Sequence, residues 1–297
     1  MKVFDCFMYI DEDVVLDLRL NYLNEFVDKF VIVESHYTHS GIKRKLSFDI
    51  KNFSKFKEKI IYLTLDHQPP NIQLVDESKD SDQKKNEKYI LNGMKRDFYQ
   101  RNFIMNGLKS AEGDDFILIS DLDEIPKLEK ISFSSIDNKF IFFKQRMFYY
   151  KFNLCSKSVS WVGTKCCRKK NLTSPQWLRN IKDKNYPFWR LDTFISKNKY
   201  TNIQFIEDGG WHFSYIKKPK DIENKLKSYA HHREYDLDPI GVRGIEKKIS
   251  EGKSIYDLKT DMKKSKFDTG QDLSTVELDV LPSYLQENLD KYREWLV

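Results

Sequence analysis

Apolar positions in the first 120 residues fall into short dense runs separated by stretches of helical spacing. Residues 3–10 form an apolar run with β-branched and aromatic content, which predicts a strand. Residues 11–13 offer N-caps to a helix whose apolar face is Val14, Val15, Leu18, Leu23 and Phe26. Residues 30–33 predict a second buried strand ending on Glu34 and Ser35, and residues 60–65 a third, closed by Pro69 and Pro70. The charged stretch 76–88 opens in a loop and leads into a long helix to about Ser110, with Ile90, Met94, Phe98 and Phe103 on one side. Residues 116–119 are apolar without alternation, so this fourth strand is expected to be covered on both faces.

This order predicts an α/β fold with parallel pairing. In open sheets of that kind ligands gather beyond the carboxyl ends of the strands. Glu34 and the acids at 121–124 both occupy such ends. The second half carries more strands, rich in aromatics, at 140–143, 147–152, 158–162 and 200–206, then a helix from Lys220 to about His231. Beyond it the chain is charged and mostly helical, with an amphipathic piece at 284–296. Neither an internal repeat nor a Gly/Ser linker divides the chain. One composite domain over 1–297 is expected: a nucleotide-binding half at 1–126, an acceptor half at 127–235 and a helical extension at 236–297.

Composition narrows the class. A chain of 297 residues that is 40% hydrophobic has the material for a large core and is not a disordered chain. The net charge of +6 is spread over lysines interleaved with acids, as in 217–227, which reads as solvated helical faces and not as a nucleic-acid groove. The four cysteines lack a C-x-x-C zinc spacing, and Cys166 and Cys167 read as strand neighbours facing opposite ways. This fits a reducing compartment. With no signal peptide before residue 3 and no run long enough to span a bilayer, a soluble, cytoplasmic protein is expected.

The candidate chemistry begins at ISDLDEIP, residues 119–126, where Asp121, Asp123 and Glu124 follow the buried strand. Crowded acids repel unless something positive sits among them. Asp-x-Asp at a strand exit suits Mg²⁺ or Mn²⁺ held beside a diphosphate, since hard cations take one or two carboxylates plus phosphate oxygens and water. A calcium loop is excluded, because its fifth and sixth positions are Ile125 and Pro126. A haloacid-dehalogenase-like phosphatase with Asp121 as nucleophile is the second reading, against which Ile125 again counts. A non-catalytic carbohydrate-binding protein, motivated by the aromatics, is the third. His212, in GGWHFSY at 209–215, can complete a metal shell or meet a phosphate.

Four blocks in order, FVIVESHYTHSG at 30–41, DFYQRN at 97–102, ISDLDEIP and GGWHFSY, resemble glycosyltransferase family 17. The similarity runs from about residue 3 to about residue 260 and is that of a microbial or viral member. The resemblance implies a GT-A fold with a mostly parallel mixed sheet, a UDP-sugar donor, expected to be UDP-GlcNAc, a divalent metal, Mn²⁺ or Mg²⁺, and inversion at the anomeric carbon. By position it implies Asp121, Asp123 and His212 for the metal and Glu34, Ser35, Arg101, Asp121 and Trp211 for the donor. Asp208, just before the two glycines, is where many inverting GT-A enzymes place the catalytic base; Glu34 and Glu124 are next in line. Without an anchor, a surface polysaccharide, lipid-linked sugar or other glycan is expected as acceptor.

Overall fold

The computed structural model describes residues 1–187, 189–190, 192–256, 267 and 270–297. Its elements in chain order are β1 (Val3–Tyr9), α1 (Asp13–Leu23), β2 (Lys29–Ser35), β3 (Ile60–Leu65), α2 (Asp82–Phe103), β4 (Phe116–Ile119), β5 (Glu124–Pro126), β6 (Phe140–Tyr149) and β7 (Leu154–Arg168). They continue as α3 (Pro175–Asn180), α4 (Asp192–Ile195), β8 (Ile203–Ile206), β9 (Gly210–Ser214), α5 (Pro219–Ser228), α6 (His232–Leu237), α7 (Gly241–Ser250), β10 (Leu273–Thr275), α8 (Ser283–Glu287) and α9 (Leu289–Tyr292).

All the described strands join one mixed sheet in the order β3-β2-β1-β4-β7-β6-β9-β5, with β10 beside β7 and β8 beside β6. The parallel pairing expected of the first half is present in β3-β2-β1-β4. Beyond β4 the pairs are mixed: β4–β7 and β7–β6 antiparallel, β6–β9 parallel and β9–β5 antiparallel. β4 and β5 are joined by only four residues, yet three strands lie between them in the pairing order. A flat sheet would separate them by about 19 Å, four spacings of about 4.8 Å. Five backbone steps reach about 17 Å when fully extended, and this segment also turns, with Glu124 N donating to the Asp121 carbonyl at 3.1 Å. The sheet therefore curls, and the acid-rich segment spans its open side.

Strand alternation sorts the core into two faces. Val3, Phe7 and Tyr9 join α1, Phe116, Leu118 and Cys166 on one, while Phe4, Cys6, Ile117, Ile119 and Cys167 pack with Leu178 of α3 on the other. β4 is thus covered on both sides, and the two adjacent cysteines point oppositely as expected. α1 is buried more widely than its expected stripe, because Leu281, Leu285 and Tyr292 close over its outer side. α2 ends at Phe103, short of Ser110. Its enclosed positions are Asn92, Gly93, Gln100 and Arg101, while Ile90, Met94, Phe98 and Phe103 are half-buried; Gln100 donates to the Val33 carbonyl of β2, and Phe103 packs against the second core face. The stretch 236–297 carries β10 besides its helices; residues 257–266, 268 and 269 of the expected helical extension lie outside the described residues. Among the described residues no helix is long and apolar enough to cross a membrane.

Candidate active site

The carboxyl ends of β1 and β4 open into a cleft of about 370 Å³, walled on the far side by β9, α5 and the segment after it. Its floor is the segment 120–124, and that segment is held from below. Asp5 falls on the α1-facing side of β1, where a carboxylate alone would be costly. Arg19 of α1 answers it with a two-pronged pair at 2.6 and 2.8 Å, both side chains fully buried. The same guanidinium donates to the carbonyls of Asp121, Leu122 and Glu124 at 3.2, 3.0 and 2.8 Å and to Ser120 Oγ at 2.6 Å. One buried cation therefore fixes the backbone of the acid-rich segment.

The three acids have different tasks. Glu124 is fully buried; Arg179 of α3 grips both its oxygens at 2.7 and 2.9 Å, and Trp161 Nε1 donates to it at 2.7 Å. A side chain at Gly163 would collide with Gln145 and crowd the Glu124 carboxyl, so glycine leaves room for both, and Arg179 also donates to the Gly163 carbonyl. Asp121 meets Arg101 at 3.0 Å and Arg179 at 3.3 Å. Burial pushes its carboxyl up, but the two guanidiniums outweigh burial and hold it at about 2. Arg101 is itself aligned by Asp97 at 2.9 and 3.0 Å and by Gln176, and its enclosed Nε has no partner among the described residues.

Asp123 faces Lys225 Nζ at 3.2 Å and His212 Nε2 at 3.4 Å. Burial works against its charge, and Lys225 and His212 overcome it, lowering the carboxyl well below the ordinary range. His212 arrives because β9 pairs antiparallel with β5, setting His212 opposite Glu124 while Phe213 N donates to the Asp123 carbonyl at 2.8 Å. Its Nε2 is also 3.1 Å from Ser214 Oγ, and its Nδ1 is enclosed without a partner among the described residues. Glu12, expected among the caps of α1, occupies the N-cap position without capping; its carboxylate turns to Lys225 at 2.6 Å instead.

The structure thus gathers Arg101, Asp121, Asp123 and His212 in one cleft, with Glu124 beneath it. The other expected residues lie elsewhere. Glu34 is fully buried and staples the segment 44–48, accepting from Ser47 N at 2.8 Å, Phe48 N at 3.1 Å and Tyr62 Oη at 2.8 Å and pairing with Arg44 at 2.8 Å. Ser35 accepts from Tyr37 N at 3.0 Å and borders a small neighbouring pocket that shares His39 with the cleft. Trp211 is in the core, edge-on to Tyr22 and donating to the Val280 carbonyl at 2.7 Å; strand alternation that turns His212 to the cleft turns Trp211 away. Asp208, in a left-handed conformation with φ 48°, pairs with Arg146 at 2.9 Å and Lys127 at 3.5 Å. It lines a different cavity of about 570 Å³, and the two cavities share no lining residue among those described.

Lys225, Arg179, Glu12 and Arg19 were not anticipated. Lys225 had a detectable signal: Ile222, Leu226 and Tyr229 recur at helical spacing, and Lys225 falls within that apolar stripe. Among the described residues no group of three or more His, Cys, Asp and Glu side chains stands ready as a metal cage. The cleft still suits a divalent cation that brings most of its ligands with a phosphate. Four lining carboxylates, Glu12, Asp97, Asp121 and Asp123, face two lining cations, Arg101 and Lys225, a surplus of two negative charges. A carboxylate oxygen and an imidazole nitrogen converge at 3.4 Å, a donor set within the range of Mn²⁺.

A mixed sheet with acids at a strand exit and cations paired to them frames one cleft. The chain belongs to glycosyltransferase family 17, whose family model matches residues 1–297. It is 26% identical over 234 residues to a human (Homo sapiens) protein named beta-1,4-mannosyl-glycoprotein 4-beta-N-acetylglucosaminyltransferase, covering 72% of this chain and 40% of that protein. The proteins of the same name from Rattus norvegicus and Mus musculus match over the same shares at 26% and 25% identity. The chain therefore spans less than half the length of these relatives.

Proposed function

We propose that this protein is a metal-dependent, inverting glycosyltransferase of GT-A type that moves N-acetylglucosamine from UDP-N-acetylglucosamine to a hydroxyl of a glycan acceptor. The observation that carries the reading is the convergence of Asp121, Asp123 and His212 with Arg101, Arg179 and Lys225 at one cleft, in a family 17 chain. Asp123 and His212 would hold Mn²⁺ or Mg²⁺, which when bound supplies Lewis-acid neutralisation of the departing diphosphate. Arg101 and Arg179 keep Asp121 ionised and oriented, and a bound divalent cation would offset the surplus negative charge of the cleft so that an anionic donor can enter. Trp161, Tyr229 and Tyr256 line the cleft and offer flat faces to a sugar or base.

Inversion by single displacement needs a carboxylate to take the acceptor proton opposite the leaving phosphate. Asp208 opens onto the other cavity, and Glu34 and Glu124 are fully buried and off the cleft lining. Glu12 and Asp97 line the cleft and are partly exposed, and the proton is assigned to one of them once its partner, Lys225 or Arg101, is drawn away when metal and donor bind. Calorimetry with UDP, with and without Mn²⁺, beside a screen of donor hydrolysis, tests the reading. Binding that needs metal, with hydrolysis favouring UDP-N-acetylglucosamine, is the expected result. Undiminished UDP binding in excess chelator, or a phosphoenzyme on Asp121, overturns it.

A further inference from the structure

Lys225 enters the cleft from α5 between two carboxylates, 2.6 Å from Glu12 and 3.2 Å from Asp123 Oδ2. Its side chain is 21% exposed and its ammonium lies 5.1 Å over the Tyr215 ring. The helix that carries it is pinned by Ile222 and Leu226, both fully buried, so reach comes only from the flexible four-carbon stem. Next to that ammonium is open cleft, not packed core.

This position sets a conflict. The same Asp123 whose Oδ1 faces His212 is neutralised at Oδ2 by Lys225. A divalent cation approaching Asp123 on its own meets a like charge at close range, beside a carboxylate only 10% exposed, where water screens the repulsion incompletely. A diphosphate removes the conflict, because it brings negative charge to the metal and gives the ammonium a new partner within the same cavity. Lysine suits that exchange, being a point charge able to bind phosphate without fixed fork geometry.

We infer that Lys225 is the exchangeable counter-ion of Asp123: it neutralises the acid in the donor-free protein, opposes metal binding alone, and moves onto the donor diphosphate when metal and nucleotide bind together. This rests on the donor and metal reading above. It makes metal and diphosphate binding strongly cooperative, since each removes an obstacle to the other.

The test measures Mn²⁺ binding alone, by the loss of the free-ion paramagnetic signal, and UDP binding in saturating Mn²⁺, by calorimetry. Lys225→Met should bind Mn²⁺ alone about tenfold more tightly, and UDP with Mn²⁺ about tenfold more weakly, than the unaltered protein. Glu12→Gln leaves the ammonium to Asp123 alone and should weaken Mn²⁺ binding. It carries the test with the opposite sign if Lys225→Met does not fold. Unchanged or weaker Mn²⁺ binding in Lys225→Met, or unchanged binding in Glu12→Gln, overturns the inference. If the unaltered protein binds UDP without regard to metal, the functional reading falls. If it binds as expected and the variants match it, only the role of Lys225 falls.

Discussion

His212 lies directly across the β5–β9 pair from Glu124, and that register brings its Nε2 to 3.4 Å from Asp123. The metal-side chemistry proposed for the cleft thus depends on the pairing of two short strands at the edge of a curled sheet. Asp123→Ala should abolish metal-dependent UDP binding while the circular dichroism spectrum stays native, because Lys225 keeps Glu12 as a partner. Retained binding in calorimetry would remove Asp123 from the site.

The same pair sets a pH dependence. Burial alone would lower the His212 imidazole, but the Asp123 carboxylate outweighs it, so the folded value lies above the ordinary one of about 6.5. A raised folded value contributes stability that is complete below about pH 6.5 and is lost as pH rises through the folded value. The stability advantage of the unaltered protein over His212→Gln should therefore be greatest below about pH 6.5 and shrink as the pH is raised above it. Urea unfolding across a pH series measures it, and a constant difference contradicts the pairing.

Arg19→Met leaves Asp5 buried without a partner and should cost about 3–5 kcal/mol of stability. Replacing both, as Arg19→Met with Asp5→Leu, should recover much of that loss without restoring UDP binding, since the carbonyls of the acid-rich segment stay unheld. Denaturant titration and calorimetry on the two variants separate the effects. Restored binding in the double variant would deny Arg19 its positioning role.

Trp211→Ala should lose about 3–5 kcal/mol, as for a large aromatic removed from a core. The donor KM of the folded fraction should not change. A raised KM at unchanged stability would return Trp211 to the donor pocket.

Asp208→Asn should leave turnover within about threefold of normal, far from the roughly 10²-fold loss that removing a general base brings. Steady-state kinetics decides it. A loss of that larger size would make Asp208 the base and extend the active site to the second cavity.

The elements most readable from the chain are those with uninterrupted local signals. β1 to β4 are dense apolar runs, and Asp121, Asp123 and Glu124 follow the last of them as three acids with no cation among them. What could not be read is whatever tertiary pairing decides. Glu34 looks identical in sequence whether it faces a ligand or staples a loop, and the partners that choose, Ser47, Phe48 and Tyr62, lie 13 to 28 positions away. Arg179 sits in a stretch without motif character and gains meaning only when α3 packs beside β4. Trp211 and His212 were both expected at the cleft, and the twofold period of β9 allows only one of them to face it.

The curl that brings β5 beneath the end of β4 has a kinetic side. Asp121 and Asp123 come from the middle of the chain, Arg19 lies 102 positions before Asp121, Arg179 lies 58 after it, and Lys225 lies 102 after Asp123. Contacts between positions so distant form slowly, because the loops between them must close first. A fragment ending at residue 126 carries the acids but lacks His212, Arg179 and Lys225, and should not hold the donor. The nucleotide binding proposed for this protein would thus report finished folding, appearing only once β9 has docked and the last cation is in place.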